Sequence, residues 1–314
     1  MSKLGKKIKN TNLGTVLALI LLIVFVTVLN HSFISPNNLL NLLRQLTVNG
    51  FIAFGMTFVI LTGGIDLSVG SILALTSVIF VGLFTQMGVP VFVALLIAIL
   101  LGAVLGFVNG VFITKGKLAP FIVTLATMTI YRGLTLVYTD GRPIAGDRDS
   151  YLFEFLGRGL ILKIPFQVIL FFIIFIILSI VLRKTAFGRK VYAVGGNEKA
   201  SFIAGIKTDK VKIAIYTISG VMASIAGLIL TSRLNSAGPQ AGVSYEMDAI
   251  AAVVLGGTSM TGGKGSLTGT LIGVLILGVL NNGLNLLGVS SFYQQIVKGI
   301  VILLAVLIDR KRNN

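Results

Sequence analysis

Ten long runs of apolar residues, separated by short polar or glycine-rich stretches, constrain the fold of this chain more than any other feature. Of the 314 residues, 55% are hydrophobic and 11% are charged, whereas a soluble protein has about 45–50% apolar and about 25% charged residues. A soluble core could not bury this much apolar surface, and a membrane-spanning helix needs about 20 predominantly apolar residues. The sequence therefore predicts an all-α polytopic membrane protein with one transmembrane domain over residues 1–314.

The second and eighth predicted spans are short and end at glycine pairs, so eight spans remain an alternative to ten. The halves of the chain also look weakly repeated, because both glycine pairs follow an apolar run and precede a new helix. The predicted spans are 13–32, 46–62, 68–87, 90–113, 119–138, 164–182, 211–231, 246–258, 266–287 and 291–308.

The basic residues are clustered between alternate spans, as the positive-inside rule predicts for cytoplasmic loops. Four lysines precede the first span, and eight Lys or Arg residues lie in the inner loop 183–212. The outward loop 139–163 has four acidic and four basic residues, with Arg148 among the latter. Both termini are therefore predicted to be cytoplasmic, and lipid headgroups rather than nucleic acid are the expected neighbours of the net charge of +16.

Neither a metal site nor an enzyme active site is visible in the sequence. The chain has no cysteine and one histidine, His31, so no metal and no cofactor is expected. The stretch "GTSMTGGKGS" is not a phosphate loop, because Thr258 stands where the motif requires its first glycine and Gly265 follows Lys264. Acidic residues are missing from the middle of the predicted spans, which argues against ion coupling. An energy source on another chain is the favoured interpretation, and an ion-coupled or passive carrier acting alone is the alternative.

Glycine breaks occur at matching places in the two halves, in "VILTGGIDLSVG" and "VVLGGTSMTGGKGSL". The predicted structural or relay residues at these breaks are Gly63, Gly64, Asp66, Gly256 and Gly257. Such breaks are either packing turns or parts of a transport pathway. Asp66 is predicted to cap the helix after it or to accept a hydrogen bond from Ser68, with a relay of movement as the alternative.

Two rows of glycines, each with one glycine every fourth residue, are predicted to form grooves for close helix packing. The rows are Gly102, Gly106 and Gly110 in the fourth span, and Gly265, Gly269 and Gly273 at the ninth.

The inner loop 183–212 interleaves basic and apolar residues, which predicts two short amphipathic helices separated by "GGN", with Gly205 ending the second. These helices could lie on the inner leaflet or dock on a cytoplasmic protein. Docking is favoured because the loop is compact.

The chain closely resembles the permease subunits of bacterial ABC sugar importers, in the ribose/xylose/galactose branch, from about Pro36 to Asp309. The motifs that carry the resemblance are "TGGIDLSVGS", "KLAPFIVTLATMTIYRGL", "TAFGRKVYAVGGNEKASFIAGI", "EMDAIAAVVLGGTSMTGGKGS" and "GVLNNGLNLLGV". The resemblance implies a non-catalytic subunit of the bacterial inner membrane. Its implied partners are a cytoplasmic ABC ATPase, an extracytoplasmic sugar-binding protein and a second permease copy, and ribose is the first candidate for the cargo.

The resemblance also implies two sets of functional residues. The ATPase-coupling residues are Thr185, Phe187, Gly188, Arg189, Glu198, Ala200, Ser201 and Gly205. The pathway candidates are polar residues near span ends, which could instead bond neighbouring helices; they are Asn109, Arg132, Asn281, Asn282, Asn285 and Gln294.

Overall fold

The computed structural model describes residues 2–147 and 149–313, so Arg148 of the outward loop lies outside the described residues. This part of the chain is almost entirely helical and has only four strands of two residues each. The helices are α1 Ser2–Leu29, α2 Pro36–Leu61, α3 Val69–Thr85, α4 Val91–Thr114, α5 Pro120–Thr139, α6 Tyr151–Arg158, α7 Phe166–Lys184, α8 Ala186–Gly196, α9 Glu198–Ile203, α10 Thr208–Leu234, α11 Tyr245–Leu255, α12 Leu267–Leu286 and α13 Ser291–Asn313. The strands are β1 Ile144–Ala145, β2 Leu160–Ile161, β3 Ile164–Pro165 and β4 Ser236–Ala237, paired antiparallel as β1 with β4 and β2 with β3.

All ten predicted spans are helical in the structure, which confirms the all-α polytopic class. By length and composition, six of the described helices could cross a membrane: α2, α4, α5, α7, α10 and α12. Two shorter apolar stretches, Leu13–Leu29 and Val69–Thr85, accompany them.

The predicted start of the second span was wrong by ten residues, since α2 begins at Pro36. The reason lies in the sequence just before it. The Ser35 side chain accepts a hydrogen bond from the Asn38 backbone, and Pro36 occupies the first turn, where its fixed φ and missing N–H suit a helix start.

The eighth span is helical for only 11 residues, from Tyr245 to Leu255. At 1.5 Å per residue this helix is about 16 Å long, roughly half the thickness of the hydrocarbon core. The segment before this helix, residues 238–244, has no regular secondary structure.

Helices α2 and α10 form the centre of the bundle. The most apolar window of α2 is 78% buried within the protein and that of α10 is 67% buried, compared with 28% in each of α4, α5 and α7. The outer helices therefore leave most of their apolar surface exposed on the outside of the bundle.

Glycines set the spacing between several of these helices. A Cβ at Gly106 would collide with the Tyr216 carbonyl of α10, and one at Gly110 would lie 2.7 Å from the Ile213 Cα. On the other side, a Cβ at Gly273 would collide with the Ala252 carbonyl of α11. These contacts confirm close packing, except that Gly265 lies in the turn before α12.

We expect Gly106→Ala to lower the free energy of unfolding by about 1–3 kcal/mol, because its methyl group would overpack against the α10 backbone. Gly299→Ala on α13 is the matched control, since nothing lies within 4 Å of its added Cβ. The control should be neutral or slightly stabilising, because alanine favours helix more than glycine does. Denaturant unfolding of the purified protein in detergent measures both, and equal stability of the two variants would contradict the packing argument.

Candidate functional site

The inner loop forms the predicted pair of short helices, α8 and α9. The Thr185 side chain caps α8 by accepting from the Gly188 backbone at 3.2 Å. The Asn197 side chain caps α9 by accepting from the Ala200 backbone at 2.9 Å. Gly205 follows α9 with a φ of +83°, a left-handed conformation that glycine adopts without strain. Side-chain caps therefore fix the starts of α8 and α9, and Gly205 ends the pair.

Helix α8 is held tightly against the membrane-spanning helices. Gly188 approaches the Leu182 carbonyl so closely that no Cβ would fit, and the Phe187 ring lies 6.5 Å from that of Phe58 on α2. The Tyr192 hydroxyl donates to the Gly265 carbonyl at 2.9 Å. Burial raises the pKa of Tyr192, although nearby Arg183 lowers it, so the phenol keeps the proton that it donates. Movement of α8 must therefore move its neighbours.

Helix α9 projects away from the protein. Phe202 is 69% exposed and Ile203 is 85% exposed, although both were predicted only as parts of an amphipathic pattern. Ser201 is buried beneath them. The sequence carried no signal for this exposed pair, because adjacent residues lie about 100° apart on a helix and can share one buried face.

The remaining predicted coupling residues lie around α9. Glu198 pairs with Lys212 at 2.5 Å across the loop, with 46% of the Glu198 side chain exposed, so the pair adds little stability. Arg189 and Ala200 are exposed. The inner loop is thus a fixed base, α8, that carries an apolar protrusion, α9.

The two glycine breaks meet each other beneath this base. The Gly263 N–H donates to the Leu61 carbonyl at 2.9 Å, and a Cβ at Gly262 would lie 3.0 Å from the Gly63 nitrogen and 2.8 Å from the Gly195 carbonyl. The turn after α2, the turn between α11 and α12, and the end of α8 therefore form one interlocked cluster, which we call the inner cluster.

The four glycines predicted at the breaks are required for two different structural reasons. Gly63 and Gly257 have φ values of +76° and +84°. A Cβ at Gly64 would lie 2.5 Å from the Tyr216 hydroxyl, and one at Gly256 would collide with the Gly269 backbone of α12. The first two glycines form turns, and the other two allow close approach.

Asp66 is completely buried just beyond this cluster. Its carboxylate accepts from the Ser68 backbone at 3.0 Å, from the Ser68 hydroxyl at 2.6 Å and from the Ser219 hydroxyl of α10 at 2.8 Å. Ser68 itself is the residue that precedes α3, so Asp66 stabilises the helix start by an Asx turn. Of the two predicted bonds, the structure contains the one from Ser68.

The bonds around Asp66 continue to α4 and α5. Asn109 donates to the Ser68 hydroxyl at 2.8 Å, and Tyr131 donates to the Asn109 side-chain oxygen at 3.3 Å. None of the ion pairs among the described residues involves Asp66. Four helices are therefore tied to one buried carboxylate through hydroxyl and amide donors.

The irregular segment 238–244 is held deep in the bundle by Arg132. The guanidinium donates to the Ala241 carbonyl at 2.9 Å and also to the Pro239 carbonyl. Arg132 is the thirteenth residue of α5, about 18 Å from the inner end of that helix. Non-helical backbone at this depth requires protein partners, and Arg132 supplies them.

Two cavities flank the first turn of α11. The α5 cavity has a volume of about 420 Å³ and includes Arg132, Gln240, Ser244 and Glu246 in its lining. The α13 cavity has a volume of about 280 Å³ and lies between α2, α10, α11, α12 and α13. Its polar lining residues are Gln45, Asn49, Arg233, Tyr245, Asp248, Asn281, Asn285, Gln294 and Lys298.

The six predicted pathway residues separate into two groups. Arg132 lines the α5 cavity, and Asn281, Asn285 and Gln294 line the α13 cavity. Asn282 exchanges hydrogen bonds with Asn38 of α2 at 2.9 and 3.0 Å, and Asn109 belongs to the Asp66 network. The structure therefore brings four of the six to cavities and places two between helices.

Comparison with known proteins finds a match over most of the chain. A family described as branched-chain amino acid transport system / permease component matches residues 38–306. No solved structure matches the chain.

Three relatives show how far the similarity extends. The chain is 62% identical to the ribose import permease protein of Bacillus subtilis, over 96% of this chain and 93% of that protein. It is 53% identical to the ribose import permease protein of Haemophilus influenzae, over 93% and 91% of the two chains. It is 38% identical to the D-allose transport system permease protein of Escherichia coli, over 93% and 89%.

The Asp66 network predicts different effects for two buried serines. Ser219→Ala removes a hydrogen bond to a carboxylate and should lower the free energy of unfolding by about 1.5–3 kcal/mol. Ser77→Ala should leave stability unchanged or raise it, because the Ser77 hydroxyl is buried without a hydrogen-bond partner among the described residues. Thermal and denaturant unfolding in detergent compare the two variants. A Ser219→Ala protein as stable as Ser77→Ala would show that the bond to Asp66 contributes nothing.

Proposed function

The chain belongs to the branched-chain amino acid transport system / permease component family, and on that premise we propose that it is the membrane-spanning subunit of an ATP-driven ribose importer. It is a multi-pass protein of the bacterial cytoplasmic membrane and has a non-catalytic role. The observation that carries the proposal is the identity of 62% with a ribose import permease protein over 96% of this chain. Two relatives above 50% identity are ribose import permease proteins, which makes ribose the proposed cargo.

The exposed apolar pair on α9 supports docking of a cytoplasmic ATPase there. Phe202 and Ile203 would lose most of their exposed apolar surface in such a contact, and burying a large apolar side chain contributes about 1.5–3 kcal/mol. The basic side chains around the pair would be retained at the rim. The inner loop 183–212, with its eight predicted coupling residues, is proposed as the coupling element within the single permease domain.

The inner cluster supports a route by which ATPase movement reaches the spans. A push on α9 acts on α8, and α8 contacts both glycine turns through Gly195 and Tyr192. These turns join α2 to α3 and α11 to α12, so one displacement would act on four helices. Changing the ratio of two conformations from 1:99 to 99:1 requires about 5.5 kcal/mol of differential interaction, which favours a rigid contact over a flexible tail. Asp66 would keep α3 and α10 together during this movement.

The α5 cavity supports a second copy of the chain as partner. Arg132 and Glu246 are half-buried there, at a depth where a charge exposed to hydrocarbon costs about 2.5–3.5 kcal/mol on insertion scales. A face that carries two charged side chains at this depth is expected to contact water or protein rather than lipid. We place the transport pathway along this face, between two copies, with the sugar-binding protein at the outer end near β1, β4 and α6.

We expect Phe202→Ala to reduce ATP-dependent uptake of D-ribose in proteoliposomes that contain this chain, its ATPase and the binding protein. Loss of a central aromatic anchor costs about 2 kcal/mol or more at an interface, so the affinity for the ATPase should fall by at least roughly thirtyfold. Phe92→Ala is the control, because Phe92 is 60% exposed at the other end of the bundle. Its uptake should equal that of the unchanged protein.

Normal uptake by Phe202→Ala would refute docking at α9. Ribose flux through vesicles that contain this chain alone, with no ATPase, would instead establish a carrier that acts alone.

A further inference from the structure

The α13 cavity lies in the outer half of the bundle, inside a single copy of the chain. Its α12 residues run from Val274 to Asn285 in a helix that ends at Leu286, and its α13 residues, Gln294 and Lys298, are in the first two turns of that helix. Arg233 comes from the last turn of α10. The outer ends of three helices therefore surround it, on the opposite side of the first turn of α11 from the α5 cavity.

Two buried acceptors border this cavity without a donor. The side-chain oxygens of Asn49 and Asn281 receive no hydrogen bond from any residue that the structure describes. An unsatisfied buried polar atom costs about 1–3 kcal/mol. Asn49 donates its amide N–H to Asp248 at 3.4 Å, which leaves its side-chain oxygen as the acceptor in need of a donor. Each oxygen has almost no accessible surface, so a ligand that donates hydrogen bonds would reach it after a rotation of the side-chain amide.

The charges around the cavity exclude a free cation and disfavour an anion. Lys298 pairs with Asp248 at 2.8 Å, and the Arg233 guanidinium donates to the Arg44 carbonyl at 3.1 Å. Two positive groups against one carboxylate would repel a metal ion. An anion would leave the two amide oxygens without donors. A neutral ligand that both donates and accepts hydrogen bonds fits this set of groups.

The size of the cavity limits that ligand further. Sites for drug-sized molecules occupy about 300–1,000 Å³, and this cavity has about 280 Å³. A molecule of the size of a single sugar ring fits, and its hydroxyls would donate to Asn49 and Asn281 and accept from Lys298 and Arg233. The Tyr245 ring in the lining offers an apolar surface for one face of such a ring.

We infer that the α13 cavity is a binding subsite for the transported monosaccharide within each copy of the chain. The identity of the sugar rests on the proposed function, whereas the neutral polyhydroxyl chemistry rests on the cavity itself. The subsite is distinct from the proposed pathway, because that pathway follows the α5 cavity, on the other side of the first turn of α11.

The absence of cysteine from the sequence makes a clean labelling test available. Asn285 lies at the cavity and is exposed, so Asn285→Cys gives a single thiol at its mouth. With the full chain in lipid nanodiscs, saturating D-ribose should slow maleimide labelling of this thiol at least threefold. Ser290→Cys, exposed outside the cavity, is the matched control and should label at the same rate with and without ribose. Sucrose, a disaccharide, should protect neither thiol.

Asn281→Leu in the Asn285→Cys background tests the role of the unpaired acceptor. Replacing an unsatisfied polar group by an apolar one of similar size is nearly neutral or stabilising, so thermal stability should be equal or higher. Protection by ribose should nevertheless disappear. A purely structural role of Asn281 would leave protection in place.

Two outcomes would overturn the subsite: equal labelling of Asn285→Cys with and without ribose, or protection that persists in the Asn281→Leu background. Uptake by the complete importer in proteoliposomes is measured separately. Ribose uptake without protection refutes the subsite alone, and absence of ribose uptake by the complete importer refutes the proposed function.

Discussion

Backbone that leaves the helical conformation inside a membrane must find its hydrogen bonds within the protein, and the arrangement of this chain depends on how it meets that requirement. At the inner end, the two glycine turns bond each other through Gly263 and Leu61. At the start of α3, Asp66 accepts from the backbone N–H and the hydroxyl of Ser68. In the eighth crossing, Arg132 donates to the carbonyls of segment 238–244. The polar residues that look out of place in an apolar sequence are therefore those that stabilise the breaks.

These breaks and the close-packed glycines act at different places. The glycines of α4 and α12 bring whole helices together without a polar group, and they stabilise the bundle as a packed unit. The breaks occur where α2, α3, α11 and α12 begin or end, and they gather polar side chains around α11. Both cavities border the short helix α11. The polar side chains that line them therefore lie beside the part of the bundle where helical structure is interrupted.

Much of this fold could be predicted from the sequence, because apolar runs and basic clusters are local signals. The ten apolar helical segments, six of them long and apolar enough to span a membrane, and the two helices of the inner loop follow from them. The start of α2 does not follow from hydropathy alone, although Ser35 and Pro36 carry the signal of a helix start. The half-length of the eighth crossing had a weaker signal in "SAGPQAG". No signal in the sequence predicted that the two glycine turns meet, since this contact joins residues about 200 positions apart. The same limit explains why polar residues such as Asn109 and Asn281 could not be sorted into packing and cavity roles beforehand.

The short length of α11 also bears on how the chain enters the membrane. A segment of 11 helical residues is too short to partition into the bilayer as an independent span, and the stretch before it exposes backbone that lipid cannot hydrogen-bond. Its stable position requires Arg132 of α5 and the groove of α12 to be present already. Because α12 is synthesised after α11, α11 can settle only once the ribosome has completed α12, so these two helices enter the membrane as a pair rather than by single insertions.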